Sequence, residues 1–151
     1  MEIRCLKREE LPAALRLVWK SFLAYEAPEY APEGVATFRA SLESEEFCAA
    51  LEFWAAFEAE EMLAVIATRS ERSHITLFFV SEAHMRKGIG KALFRFLLPL
   101  CPGPVLTVNS SPYAVPFYAR LGFLAEGPEQ QLDGIRFTPM RYFFPETGEA
   151  H

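Results

Sequence analysis

The sequence predicts a single α/β domain in which strands and helices alternate along the chain. Three observations predict it. The chain has 151 residues and is 51% apolar, which suits one domain with a sizeable core. Runs rich in β-formers alternate with stretches of helical spacing, and no linker, internal repeat or low-complexity segment separates them. The run HITLFFV, His74 to Val80, is apolar on both faces, as expected of a strand in mid-sheet.

Each element follows from local pattern. EIRCL (Glu2 to Leu6) reads as a first strand. Leu11, Leu15, Val18 and Phe22 then repeat at helical spacing, with Pro12 tolerated in the first turn. YEAPEYAPEGVATF, from Tyr25 to Phe38, is a proline-bearing loop that returns to helical spacing through Val35, Phe38 and Leu42, with a further short helix near Phe47 to Leu51. FWAAFEA (Phe53 to Ala59) and MLAVIATR (Met62 to Arg69) predict an antiparallel hairpin, although Glu60-Glu61 is a poor turn sequence.

The second half is punctuated more sharply. Ile89, Ala92, Leu93, Phe96, Leu97 and Leu100 form one helical stripe, ended by Pro102-Gly103-Pro104. VLTVN (Val105 to Asn109) is a strand, and Ser111 is a suitable N-cap with Pro112 at the first helical position. Ala114, Phe117, Tyr118 and Leu121 supply that helix's buried stripe, and Gly122 stops it. FLAEG (Phe123 to Gly127) and GIRFTPMRYFF (Gly134 to Phe144) complete the sheet around a polar turn.

Composition excludes several function classes. The formal charge is −5 and the Lys and Arg residues form no stripe, so a nucleic-acid partner is not expected. The N-terminus MEIRCLKREE is no signal peptide, and no segment approaches the roughly 20 apolar residues that cross a bilayer; the expectation is a cytoplasmic protein without a membrane partner. Cys5, Cys48 and Cys101 are odd in number and never in a C-x-x-C pair, so neither a disulfide framework nor a metal site is signalled. They read as small buried residues.

HMRKGIGKALF, His84 to Phe94, puts two glycines and three basic residues at the mouth of a helix. A nucleotide-binding loop of pattern G-x-x-x-x-G-K-S/T is ruled out, because its first glycine would be Met85 and its hydroxyl Ala92. A dinucleotide fingerprint fails at Leu93, where the third glycine would stand. What remains is a strand, a short loop and a helix whose first backbone amides are bare, an arrangement suited to an anion or simply to close helix packing.

HITLFFVSEAHMRKGIGKALFRFLL followed by TVNSSPYAVPFYARLGF resembles the two central motifs of the GNAT acyltransferase superfamily, over about a third of the chain. The resemblance implies the GNAT fold, α/β (α+β): a mixed, twisted sheet of about seven strands splayed between strands 4 and 5, flanked on both faces by about four helices, with residues 1–151 as one domain. It implies acetyl-CoA as cofactor, with a primary amine as acceptor, either a small molecule or a peptide N-terminus. Carried over, the backbone of Phe78, Phe79 and Val80 would bond the pantetheine arm, and Arg86, Lys87, Gly88, Ile89, Gly90 and Lys91 would wrap the pyrophosphate. Ala114, Phe117, Tyr118, Gly122 and Phe123 match the second motif, N-x-x-A-x-x-F-Y-x-x-x-G-F, in register, and Phe117 is expected against the cofactor. Two positions depart: Met85 stands where the loop usually has Gln or Arg, and Ser111 stands at the usual Asn, with Asn109 two residues earlier. Either Asn109 or Ser111 could reach the cofactor.

The same resemblance assigns chemistry. An alkyl ammonium with a pKa near 10 must lose a proton before it can attack a thioester, and the departing thiolate needs a donor. Tyr118 resembles the family's proton donor, and main-chain N–H groups at a strand bulge near Phe79 and Val80 would polarise the thioester carbonyl. Some branches place a Glu at the start of the central strand as base; here that residue is His74, which titrates near neutrality. Others use a Glu where this chain has Leu106. A loop Glu or a water relay are the remaining routes. Tyr25, Glu26 and Tyr30 fall in the segment that lines the acceptor pocket. The alternative from another class is a non-catalytic module that binds or senses acyl-CoA, and either a monomer or a homodimer is compatible.

Overall fold

The computed structural model describes residues 1–145. In chain order the elements are β1 (Glu2–Cys5), α1 (Leu11–Tyr25), α2 (Pro32–Glu43), α3 (Glu45–Ala49), β2 (Glu52–Glu58), β3 (Glu61–Arg69), β4 (His74–Val80), α4 (Ile89–Leu97), β5 (Val105–Ser110), α5 (Val115–Leu121), β6 (Leu124–Ala125), β7 (Gln130–Leu132) and β8 (Ile135–Phe143). The strands form one eight-stranded sheet in the order β1-β2-β3-β4-β5-β8-β6, with β7 also paired to β8. Every pairing is antiparallel except β4 with β5.

Both faces of the sheet are covered because β2 and β3 are apolar at successive positions rather than at alternate ones. One set, Phe53, Ala55, Phe57, Val65 and Ala67, packs with Leu77 and Phe79 of β4 against Ala14, Val18 and Phe22 of α1. The other, Trp54, Ala56, Ala64 and Ile66, packs against Leu93, Phe94 and Leu97 of α4 and Tyr118 of α5. The stripes read from the sequence are the faces that bury, each large side chain contributing about 1.5–3 kcal/mol by leaving water.

Several expectations are corrected. Eight strands replace seven, because the polar turn before the last strand is itself a hairpin: β7 and β8 meet at Asp133-Gly134, both with positive φ, 53° and 81°. The awkward β2–β3 turn works because Ala59 takes a left-handed conformation, φ 54°. Ser111 does not cap α5. Strand β5 runs on to Ser110, paired with Thr138, so the Ser111 hydroxyl instead accepts the Ala114 N–H at 3.2 Å and closes a turn before the helix starts at Val115. Cys5 is exposed on the edge strand, and Cys48 and Cys101 are half-buried, so none of the three is a fully buried residue. Among the described residues no helix is long and apolar enough to cross a membrane.

The feature that positions a site lies between β4 and β5. They pair at only two positions, His74 with Thr107 and Ile75 with Val108, and then separate. From Thr76 to Val80 strand β4 has no partner strand on that side among the described residues, which bares a row of backbone groups. The register with β3 slips here: Ala67 faces Leu77 but Thr68 faces Ile75, so Thr76 is an extra residue on β4. The bulge therefore sits at Thr76, not near Phe79 and Val80.

Candidate active site

Two cavities open where the strands separate. The first, about 560 Å³, runs along the free edge of β4 past Phe78 and Val80, between the loop into α4 and the near side of α5. The loop's shape comes from two left-handed residues, Arg86 at φ 64° and Gly88 at φ 80°, the second just before the helix. Gly90 is needed for closeness, since a Cβ there would sit 3.1 Å from Phe117 and 3.3 Å from Val80. The first amides of α4 have no partner within the helix and lie at its positive end. Arg86 from the loop, Lys91 from the first turn of α4 and Arg120 from α5 add charge of the same sign, and Glu26 is the only acid on this cavity's wall among the described residues.

The second cavity, about 330 Å³, lies on the α1 side. Its walls are the aromatic residues of α1 and α2, the β7–β8 hairpin, and the inner ends of β4 and β5. Glu26, Phe78 and Ala114 line both cavities, so the two meet at those residues.

The cofactor candidates mostly gather on the first cavity: Phe78, Val80, Arg86, Gly88, Ile89, Gly90, Lys91 and Phe117. Lys87 lines neither. Phe79, Asn109 and Ser111 line the second cavity instead, and so does Tyr118. Of the acceptor candidates, Tyr30 lines the second cavity and Glu26 both, but Tyr25 lines only the first. Its hydroxyl donates to the Val80 carbonyl at 2.9 Å and accepts the Val80 N–H at 3.2 Å. Tyr25 thus holds both of the exposed backbone groups of Val80.

Electrostatics separates the titratable candidates. Burial pushes the Glu26 carboxyl up to about 7; the adjacent Ser111 hydroxyl opposes the rise and the Glu29 charge adds to it. Burial, then the charge of Glu26, raises the Tyr118 hydroxyl well above its ordinary range, so it keeps its proton. His74 sits at the closed end of the splay with Nδ1 2.7 Å from the Thr107 hydroxyl. Burial and the nearby Arg69 charge push it down to about 4. Six strand positions, roughly 20 Å, separate it from Val80.

Sequence reasoning passes over Arg120 and His84. Arg120 was findable, because it follows Pro116 and Phe117 at helical spacing on the face that lines the first cavity. His84 lines the same cavity with a buried Nδ1 that has no partner among the described residues, a fact of packing that no local pattern carries.

Comparison with known proteins agrees with this geometry. No curated protein sequence matches the chain significantly. Among solved structures, a GCN5-related N-acetyltransferase from Rhodopseudomonas palustris superposes with a TM-score of 0.81 at 18% identity, covering 95% of each chain. The PaiA N-acetyltransferase from Thermoplasma acidophilum, in complex with coenzyme A, gives 0.72 at 18% identity over 95% of this chain and 98% of that one. The ribosomal-protein-S18-alanine N-acetyltransferase from Escherichia coli gives 0.66 at 21% identity over 99% and 97%. At such identities the likeness concerns the fold. An acetyltransferase (GNAT) domain family model matches residues 26–144, most of the chain, and with the splayed strands and the glycine loop this makes the protein a member of the GNAT acetyltransferase family.

Proposed function

We propose that the protein transfers an acetyl group from acetyl-CoA to a primary amine by direct attack in a ternary complex. The observation that carries this reading is the meeting of the two cavities at Glu26, with Tyr118 on the adjoining wall. The residues present fit an acyl-CoA. Bare amides and cations at the mouth of α4 suit a diphosphate, and the unpaired edge of β4 suits an arm that contains amides. The thioester supplies an activated acyl group. Gly88 to Lys91 hold the diphosphate, and Phe78 and Val80 orient the arm through their backbone.

Glu26 is assigned as the base, in place of His74. A carboxylate held near 7 is half-ionised at neutral pH and stands where the acceptor cavity opens onto the cofactor cleft. Burial that raises Glu26 also lowers the pKa of an ammonium brought beside it, so the two converge and the proton can pass. His74, at about 4, is too weak a base for an amine and lies at the far end of the strand. Tyr118, which stays protonated, donates to the departing sulfur.

The test is thiol release from acetyl-CoA across a panel of small amines and peptides. Turnover is expected with at least one amine, and Tyr118→Phe is expected to lower kcat by about 10²-fold or more while CoA still raises Tm. If CoA raises Tm but no amine releases thiol, the protein is instead a non-catalytic acyl-CoA-binding module.

A further inference from the structure

Resting on the acetyltransferase reading, we infer that the second cavity takes a primary amine joined to an aromatic ring by a short alkyl chain, rather than a polyamine, an α-amino acid or a peptide. At about 330 Å³ the cavity is at the small end of ligand sites, which span about 300–1,000 Å³. Its lining is unusually aromatic: Phe22, Tyr30, Phe38, Phe79 and Phe137 all contribute. Phe22 and Phe38 stack at 4.1 Å, and Tyr30 and Phe79 lean on them at 5.6 Å and 5.9 Å, so the rings form one rigid wall. Such a wall takes a flat apolar body at little cost in ordering.

Charge narrows the class further. Among the described residues Glu26 is the one buried carboxylate facing the cavity; Asp133, the other acid on its wall, belongs to the exposed hairpin turn. One buried carboxylate matches one amine. A polyamine would bring further cations toward Arg69 and Arg136. An α-amino acid would put its own carboxylate beside Glu26, and among the described residues neither arginine of this cavity's wall stands free there to receive it. Arg136 is engaged by Glu129 at 2.9 Å and by the Glu29 carbonyl at 2.8 Å, and Arg69 lies at the other end near His74.

Length is limited by the way the walls are joined. The β7–β8 hairpin is fastened to the α1–α2 region: Thr37 donates to the Asp133 carbonyl at 2.7 Å and Tyr30 to the Arg136 carbonyl at 3.2 Å. The backbones of Gly34 and Gly134 touch so closely that a Cβ on Gly34 would lie 2.2 Å from the Gly134 oxygen. A peptide running out between the hairpin and the α1–α2 region would have to part these contacts.

The experiment is calorimetric titration of the CoA-loaded protein with 2-phenylethylamine, butylamine, spermidine, phenylalanine and a short peptide, with thiol release from acetyl-CoA followed in parallel. Wild type is expected to bind 2-phenylethylamine about tenfold or more tighter than any of the others. Phe38→Leu, which keeps bulk but removes the ring, is expected to cut the 2-phenylethylamine to butylamine ratio at least fivefold; a ratio is insensitive to the folded fraction. Equal binding of the two amines, tighter spermidine, phenylalanine or peptide, or an unchanged ratio in Phe38→Leu overturns the inference. Aromatic preference without thiol release supports this pocket and overturns the catalytic reading, whereas turnover of a polyamine or peptide alone does the reverse.

Discussion

At pH 8 the fold must hold Glu26 as a charge at 8% exposure, a charge the unfolded chain carries in water. Its folded pKa, about 7, lies above the ordinary 4.5, so the folded state binds the extra proton and stability falls as pH rises from 4.5 to 7. Glu26→Gln is therefore expected to melt above wild type at pH 8 and close to it at pH 4.5, in a thermal melt series. An equal gap at both pH values would show that burial of the charge is not the cause. Tyr25 makes a second prediction at this scale. Because its hydroxyl holds both backbone groups of Val80, an arm that bonds the same strand edge must displace it. Tyr25→Phe is expected to tighten CoA binding by about two- to tenfold in a calorimetric titration, the worth of one such hydrogen bond. Weaker binding would mean that the hydroxyl contacts the cofactor instead.

At the scale of elements, the loop into α4 depends on backbone conformation. Gly88 has φ 80° with open space around its missing Cβ, so Gly88→Ala meets strain alone, about 1–2 kcal/mol by denaturant unfolding. No loss would indicate that the loop re-forms without its left-handed residue. This loop was readable because its glycines are local signals, and so was α4 as far as Leu97; Leu98 to Leu100 then tighten into a 3₁₀ turn. The start of α5 was not readable. Ser111-Pro112 has the form of a cap, and only the pairing of Ser110 with Thr138, far along the chain, carries β5 past it. The bulge at Thr76 is likewise a property of register between strands, which one strand's sequence does not contain. The β7–β8 hairpin was different: Asp133-Gly134 is a strong two-residue turn signal, obscured by the polar residues around it.

Across the whole molecule, the alternation of strands and helices, the central place of β4 and the two apolar stripes were all legible, because each rests on periodicity that burial on both faces of a sheet enforces. The glycine loop and the Phe117 and Tyr118 pair stood out through their resemblance to known motifs, which implies a cofactor and donor region; the structure sets the loop and Phe117 on the first cavity and Tyr118 on the second. Glu26 was legible as an acceptor-pocket candidate and a loop Glu as one route to the base, but its proposed place as that base was not. Its sequence neighbourhood is a polar, proline-bearing loop, and only the convergence of α1, β4 and the turn after β5 buries it between two cavities. The most direct measurement is the pH dependence of kcat/KM for thiol release from acetyl-CoA, in wild type and Glu26→Gln. Wild type is expected to gain activity with an inflection near pH 7, and Glu26→Gln to lose about 10²-fold or more together with that inflection. A Glu26→Gln enzyme that keeps the rate and the inflection would contradict the assignment.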